Sequence, residues 1–289
     1  MQLVSYGKPG EERLGALIEG GKKIIDLNHA DAALPTCMLT FLRGDFWGRV
    51  RDVLLQTGKI TPQAIVERAA VRLGAPVPRP GLIVCVGLNY KEHADEQGVP
   101  YPQAPLLFCK SPAAISGPND AVVYPEGVEQ LDYEVELGII IGRTAKKIPA
   151  CEARSVIAGY CVFHDVSARC AQFGDKQWFR GKSFDTFAPC GPALVTPDDQ
   201  SGVDPNQLKL TCTVNGEVRQ SSNTNNLIHN VDQLIEYITR GHTLHPGDII
   251  ATGTPSGVGV FFKPPRLLKR GDVVELEVEK IGKLTNRIV

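Results

Sequence analysis

Glu134 and Glu136 stand two apart in the run Tyr133-Glu134-Val135-Glu136-Leu137-Gly138-Ile139-Ile140-Ile141. On a strand, residues i and i+2 share a face, so both carboxylates point the same way. Their Cα atoms would lie roughly 6.5–7 Å apart, close enough to converge on one cation. Two carboxylates at the head of a nearly continuous apolar strand are costly to bury unpaired. A hard divalent ion held through oxygen would offset that cost; the alternative is a solvated strand end. Asp165 closes a second apolar run, 159–164, and precedes a turn into a short helix through Val166-Ser167-Ala168-Arg169. It could add a third oxygen ligand, or it could cap that helix over Ala168. Three carboxylates with open positions suit Mg2+ or Mn2+, with Ca2+ a further possibility for an all-oxygen site.

A second group could move protons. The segment Gly87-Leu88-Asn89-Tyr90-Lys91-Glu92-His93-Ala94-Asp95-Glu96 leaves an apolar strand through glycine into a polar helical stretch. His93 and Glu96, three apart, share a helix face, where a carboxylate can orient an imidazole and raise its basicity. That is the arrangement of a general base with its orienting partner, although a solvated helix face would read the same. Lys182, in Arg180-Gly181-Lys182-Ser183-Phe184, is either a surface charge or an electrophile for a developing oxyanion. The stretch Ala251-Thr252-Gly253-Thr254-Pro255-Ser256-Gly257 runs from a strand into small hydroxyls and backbone donors. Such a loop can hold a carboxylate or a carbonyl, or it can be an ordinary turn.

Other motifs fail on inspection. Gly181-Lys182-Ser183 mimics the end of a phosphate-binding loop, but Lys176 stands where the earlier glycine is needed. Gly257-Val258-Gly259 meets Phe262 in place of the third glycine of a dinucleotide fingerprint. Cys161 and His164 are spaced like ligands but would face opposite sides of a strand.

These residues need a scaffold to bring them together. The 289 residues are 43% hydrophobic, enough for a substantial core. Residues 1–73 read as a small N-terminal α+β unit, with short strands and two helices over 45–56 and 62–73. The Pro- and Gly-rich segment 74–81 is a stiff linker, and 82–289 is the larger unit. Its apolar runs are short, Asn215-Gly216 marks a type I′ hairpin, and Asn230 can cap a helix over 231–239. A further helix is expected over 152–158. The predicted class is β-rich α+β, a mixed β-sandwich roll rather than a doubly wound sheet. Balanced charge, 31 Lys+Arg against 32 Asp+Glu, leaves no footprint for nucleic acid or for an anionic membrane. No run approaches the about 18 apolar residues that span a bilayer. Eight scattered cysteines without a Cys-x-x-Cys pair fit reduced thiols. A cytoplasmic protein is expected.

In order and wording these motifs resemble the fumarylacetoacetate hydrolase family over roughly residues 80–289. The resemblance implies a β-rich roll, a homodimer, and a small-molecule 2-oxo or 2,4-dioxo acid as substrate. It implies metal ligands at Glu134, Glu136 and Asp165, a catalytic dyad of His93 and Glu96 on a lid, and an active-site Lys182. Arg169, Gln172 and Thr254 are by the same resemblance candidates for substrate contact. Cys170 departs from the acidic residue that many relatives carry there. The implied reaction is metal-dependent hydrolysis of a carbon–carbon bond in an acylpyruvate or a diketo sugar acid. His93 would take a proton from the attacking water, with Lys182 and the cation steadying the enolate that leaves. The alternatives are an isomerase or decarboxylase acting on a hydroxymuconate-type diacid or oxaloacetate, and, more remotely, a non-catalytic metal-binding protein.

Overall fold

The structure, a computed structural model, describes residues 1–198 and 202–289. Alternating apolar residues near the N-terminus form β1 (Gln2–Tyr6), β2 (Arg13–Ile18), β3 (Lys23–Asp26) and β4 (Ile65–Glu67). Between β3 and β4 lie α1 (Leu27–Ala30), α2 (Met38–Arg43) and α3 (Trp47–Leu55). The helix predicted over 62–73 does not form. Thr61-Pro62 opens only a 3-10 turn, the β-branched pair Ile65-Val66 pairs with β3 as β4, and a second 3-10 turn follows.

Beyond the Pro/Gly segment come β5 (Ile83–Gly87), α4 (Lys91–Gln97), β6 (Leu106–Lys110), β7 (Ile115–Ser116), β8 (Leu131–Asp132) and β9 (Val135–Ile141). Next are β10 (Ile157–His164), β11 (Ser167–Ala168), α5 (Arg169–Gly174), α6 (Trp178–Lys182) and β12 (Ala188–Val195). The chain closes with β13 (Lys209–Val214), β14 (Glu217–Asn223), α7 (Val231–Gly241), β15 (Ile249–Ala251), β16 (Val273–Val278) and β17 (Gly282–Arg287). The helix expected over 152–158 does not form: residues 150–156 make a 3-10 segment, and Ile157 and Ala158 already belong to β10. Asn230 caps α7 with Gln233 in a reciprocal box, and Asn215 and Gly216 both take positive φ in the β13–β14 hairpin.

The main sheet runs β4-β3-β2-β1-β12-β10-β9-β15-β5-β6, with β7 beside β12. The N-terminal strands therefore extend this sheet, β1 lying antiparallel to β12 with Leu3 opposite Leu194. A four-stranded sheet, β14-β13-β16-β17, packs over β9, β10 and β12, giving a mixed, β-rich α+β architecture. β9 sits between β10 and β15, and all seven of its residues are buried. Each of its aliphatic side chains contributes about 1.5–3 kcal/mol by burial, which makes the strand a rigid base for the carboxylates at its head.

Candidate active site

Glu134, Glu136 and Asp165 each direct a carboxylate oxygen to one place, the three atoms lying within 4.8 Å of one another. Asp165 reaches it because β10 pairs antiparallel with β9, which brings the end of one strand beside the head of the other. Asp165 caps nothing over Ala168; its carboxylate goes to two buried ammonium groups. Lys182 Nζ donates to Asp165 Oδ2 at 2.8 Å and to Glu134 Oε2 at 2.9 Å, and Lys110 Nζ donates to Asp165 Oδ1. Burial alone would raise the Glu134 pKa, but Lys182, Arg169 and His93 bring it down to about 2.

Glu136 has no such neutralisation. Its Oε2 accepts the Gly253 N–H at 2.9 Å, and it makes no ion pair among the described residues. Burial, then the charges of Asp165 and Glu134, push it well above the usual carboxylate range. Gly253 is glycine for a reason: a Cβ there would come 2.8 Å from Asn89 Cβ, and its φ is +102°. Three converging hard oxygens, one of them with its charge uncompensated, fit a divalent cation.

The expected His93–Glu96 pair is assembled on α4. His93 Nδ1 lies 2.6 Å from Glu96 Oε1, and the other Glu96 oxygen accepts the Gly257 N–H at 3.1 Å. Asn89 docks the start of this segment, donating to Thr252 O at 2.8 Å and His229 O at 3.0 Å while accepting from His229 N at 2.9 Å. A cavity of about 60 Å³ brings His93, Glu134, Glu136 and Lys182 together under Phe108, Phe261 and Trp178.

The expected substrate contacts are partly spoken for. Arg169 donates from Nε to Asp132 Oδ2 (2.9 Å) and from Nη1 to Gln172 Oε1 (2.9 Å), and pairs through Nη2 with Glu134 (2.6 Å). The Thr254 hydroxyl donates to Val135 O at 3.0 Å and accepts from Gln220 Nε2 at 2.8 Å. Both residues brace the carboxylate strand. Gln172 faces the cavity with its amide N–H groups uncommitted to Arg169. Sequence reasoning missed Lys110, Gln220 and Asp132. Asp132 continues the Glu134/Glu136 alternation and accepts from Gly259 N (2.7 Å), so that signal was present; Lys110 and Gln220 carried none.

Residues 82–289 match the Fumarylacetoacetate (FAA) hydrolase C-terminal family, and the chain belongs to the fumarylacetoacetate hydrolase family. Over 293 aligned residues, covering all of this chain and 92% of the relative, it is 45% identical to "Oxaloacetate tautomerase FAHD2A, mitochondrial" of Bos taurus. Its fold is similar to 5-carboxymethyl-2-hydroxymuconate delta-isomerase from Mycobacterium smegmatis, with TM-score 0.78, 35% identity, and 100% and 98% of the two chains covered. It is similar also to maleylpyruvate hydrolase from Sphingobium sp. SYK-6, with TM-score 0.82, 31% identity, and 100% and 99% covered. Among the described residues no helix is long and apolar enough to cross a membrane.

Proposed function

We propose that this chain interconverts the keto and enol forms of a small 2-oxo dicarboxylate of the oxaloacetate type, the reading that the sequence placed behind hydrolysis. The observation that carries it is the shared cavity, in which one imidazole, oriented by Glu96, shares the lining with Glu134, Glu136 and the buried Lys182 ammonium. Tautomerisation needs one proton moved and no second reactant, which one imidazole and one ammonium in a shared cavity can serve. Identity of 45% over the whole chain to a protein named as an oxaloacetate tautomerase supports the same choice.

Glu96 accepts from Nδ1, so the Nε2 lone pair of neutral His93 is the base. It takes the C3 proton of the keto acid; the C–H pair becomes the C2=C3 bond, the carbonyl π pair moves onto oxygen, and the same proton passes from Nε2 to that oxygen, which restores the neutral ring. Lys182 has given two N–H groups to Glu134 and Asp165, leaving the third for that oxygen. Glu134, Glu136 and Asp165 would hold Mg2+ or a similar ion, which would supply Lewis-acid polarisation of the substrate's oxygens. Phe108, Phe261 and Trp178 add apolar surface to the cavity lining.

The second reading is hydrolysis of a 2,4-dioxo acid to a 2-oxo acid and a carboxylic acid, with His93 drawing its proton from water. Likeness to a maleylpyruvate hydrolase favours it. Mg2+-loaded protein given enol-enriched oxaloacetate, and separately acylpyruvates, separates the two. Faster loss of enol absorbance with oxaloacetate intact supports tautomerisation. Release of 2-oxo acid from an acylpyruvate, with unaccelerated ketonisation, overturns it, and pyruvate with CO2 from oxaloacetate would point to decarboxylation.

A further inference from the structure

We propose that Gln97 is a positioning residue for proton transfer, its side-chain amide serving His93 in both protonation states. The inference rests on the reading of His93 as the proton carrier. Gln97 is the last residue of α4, four beyond His93, and this spacing stacks the two side chains on one helix face. Its Nε2 lies 3.0 Å from His93 Nε2, and both residues line the cavity that holds Glu134, Glu136 and Lys182.

The chemistry follows from what each partner can do. A carboxylate only accepts, so Glu96, 2.6 Å from Nδ1, fixes the proton there and leaves the Nε2 lone pair as the acceptor in the neutral ring. Gln97 Nε2–H donates to that lone pair. Once a proton has moved from substrate carbon to His93 Nε2, that nitrogen is a donor and needs an acceptor. Rotation about the last side-chain bond of Gln97 puts Oε1 where the amide nitrogen stood, without moving the backbone. A glutamate here would serve only the charged ring, and a lysine only the neutral one. The amide gives up the lone pair while the substrate's C–H occupies it, and holds the ring's aim before and after that step.

The surrounding charges leave this position to Gln97. On the same helix Glu92 turns to Ser222 and Asp95 to Tyr101, while Glu96 holds the opposite ring nitrogen. From the elements packed against α4, Glu134, Glu136, Arg169 and Lys182 face the same cavity. None of them hydrogen-bonds to Nε2; the Phe261 ring lies 6.1 Å from the imidazole.

The test uses full-length, Mg2+-loaded protein and follows ketonisation of enol-oxaloacetate between pH 5 and 9 in wild type, Gln97→Glu, Gln97→Met and His93→Asn. Activity that depends on a free base rises with pH through the base's pKa. Gln97→Glu favours the charged ring, so the rising limb of kcat/KM should move to higher pH by about one unit, a tenfold change at the foot of the limb. Gln97→Met, of similar length but with no polar atoms, should lower kcat about tenfold while KM stays within twofold. The 15N shift of His93 Nε2, read by NMR without turnover, should report the same displacement in Gln97→Glu. Profiles and shifts that superimpose on wild type in both variants, with His93→Asn inactive, overturn the role of Gln97 and leave His93 as the base. Activity retained in His93→Asn overturns the underlying reading instead.

Discussion

The side-chain carbonyl of Gln220 accepts the Val135 N–H at 2.9 Å, so a residue of β14 grips the backbone between Glu134 and Glu136. Its amide donates to Thr254 Oγ1 (2.8 Å) and to Pro255 O (3.0 Å), and the Thr254 hydroxyl donates back to Val135 O at 3.0 Å. Both sides of Val135 are thus bonded in a closed ring of buried groups. The four-stranded sheet reaches across to set the angle at which the carboxylates leave β9.

Gln220→Met keeps the volume and removes the hydrogen bonds to the Val135 N–H, Thr254 Oγ1 and Pro255 O, leaving only that from Thr254 to Val135 O. It strands the Val135 N–H out of contact with water, at a cost of at least about 1–3 kcal/mol. Urea unfolding should show that loss, and Mn2+ titrated by its paramagnetic signal should bind several-fold more weakly. Unchanged Mn2+ affinity would confine Gln220 to a purely structural role.

Chelation should abolish turnover, and Mg2+ or Mn2+ should restore it, if Glu134, Glu136 and Asp165 share one ion. Glu136→Gln should cost orders of magnitude in activity yet raise the melting temperature of the chelated protein. The change removes a carboxyl whose ionisation is opposed by burial and by two neighbouring carboxylates, and which ion-pairs with no cation among the described residues. Full activity in excess EDTA would remove the metal from the mechanism.

Lys182→Met should act in the opposite sense on the chelated protein. Glu134 and Asp165 lose the ammonium they share, and breaking such a buried pair costs about 3–5 kcal/mol. Turnover should fall by about 10²–10³, because the last N–H aimed at the substrate oxygen goes as well. Calorimetry with and without Mg2+, alongside kinetics, checks both halves.

Acid stability should depend on Asp26, far from the site. Burial would raise this carboxyl, but hydrogen bonds from Arg13, Tyr6 and the His29 N–H hold it below the usual range. A depressed folded-state pKa stabilises the fold above the ordinary carboxylate range, and that stability disappears as pH falls through the folded value. Asp26→Asn should therefore unfold at lower urea than wild type at pH 7, with the gap narrowing towards pH 3. A gap independent of pH would mean that packing, not charge, is what the substitution removes.

Much of the site was legible in the chain because its signals are local. Glu134 and Glu136 share a face by the two-residue period of a strand, and His93 and Glu96 share one by the turn of a helix. Asn215-Gly216 and Asn230 act through their own backbone neighbourhoods, so both elements could be placed without knowing what they pack against.

The remainder depended on partners that no local pattern encodes. Whether Ile65-Val66 would lengthen a helix or pair with β3 depended on a sheet edge built some forty residues earlier, so the expectation of a helix failed there. Arg169 and Thr254 line the cavity, and the assembled strands also bond them to Asp132, Glu134 and Val135, partners that no local pattern announces. Lys110, 55 residues from the Asp165 that it neutralises, looks in sequence like the end of an ordinary strand. Local periodicity determines which way a side chain points. Only the assembled sheets decide what it meets, because buried charges and backbone groups must find partners wherever the fold brings them.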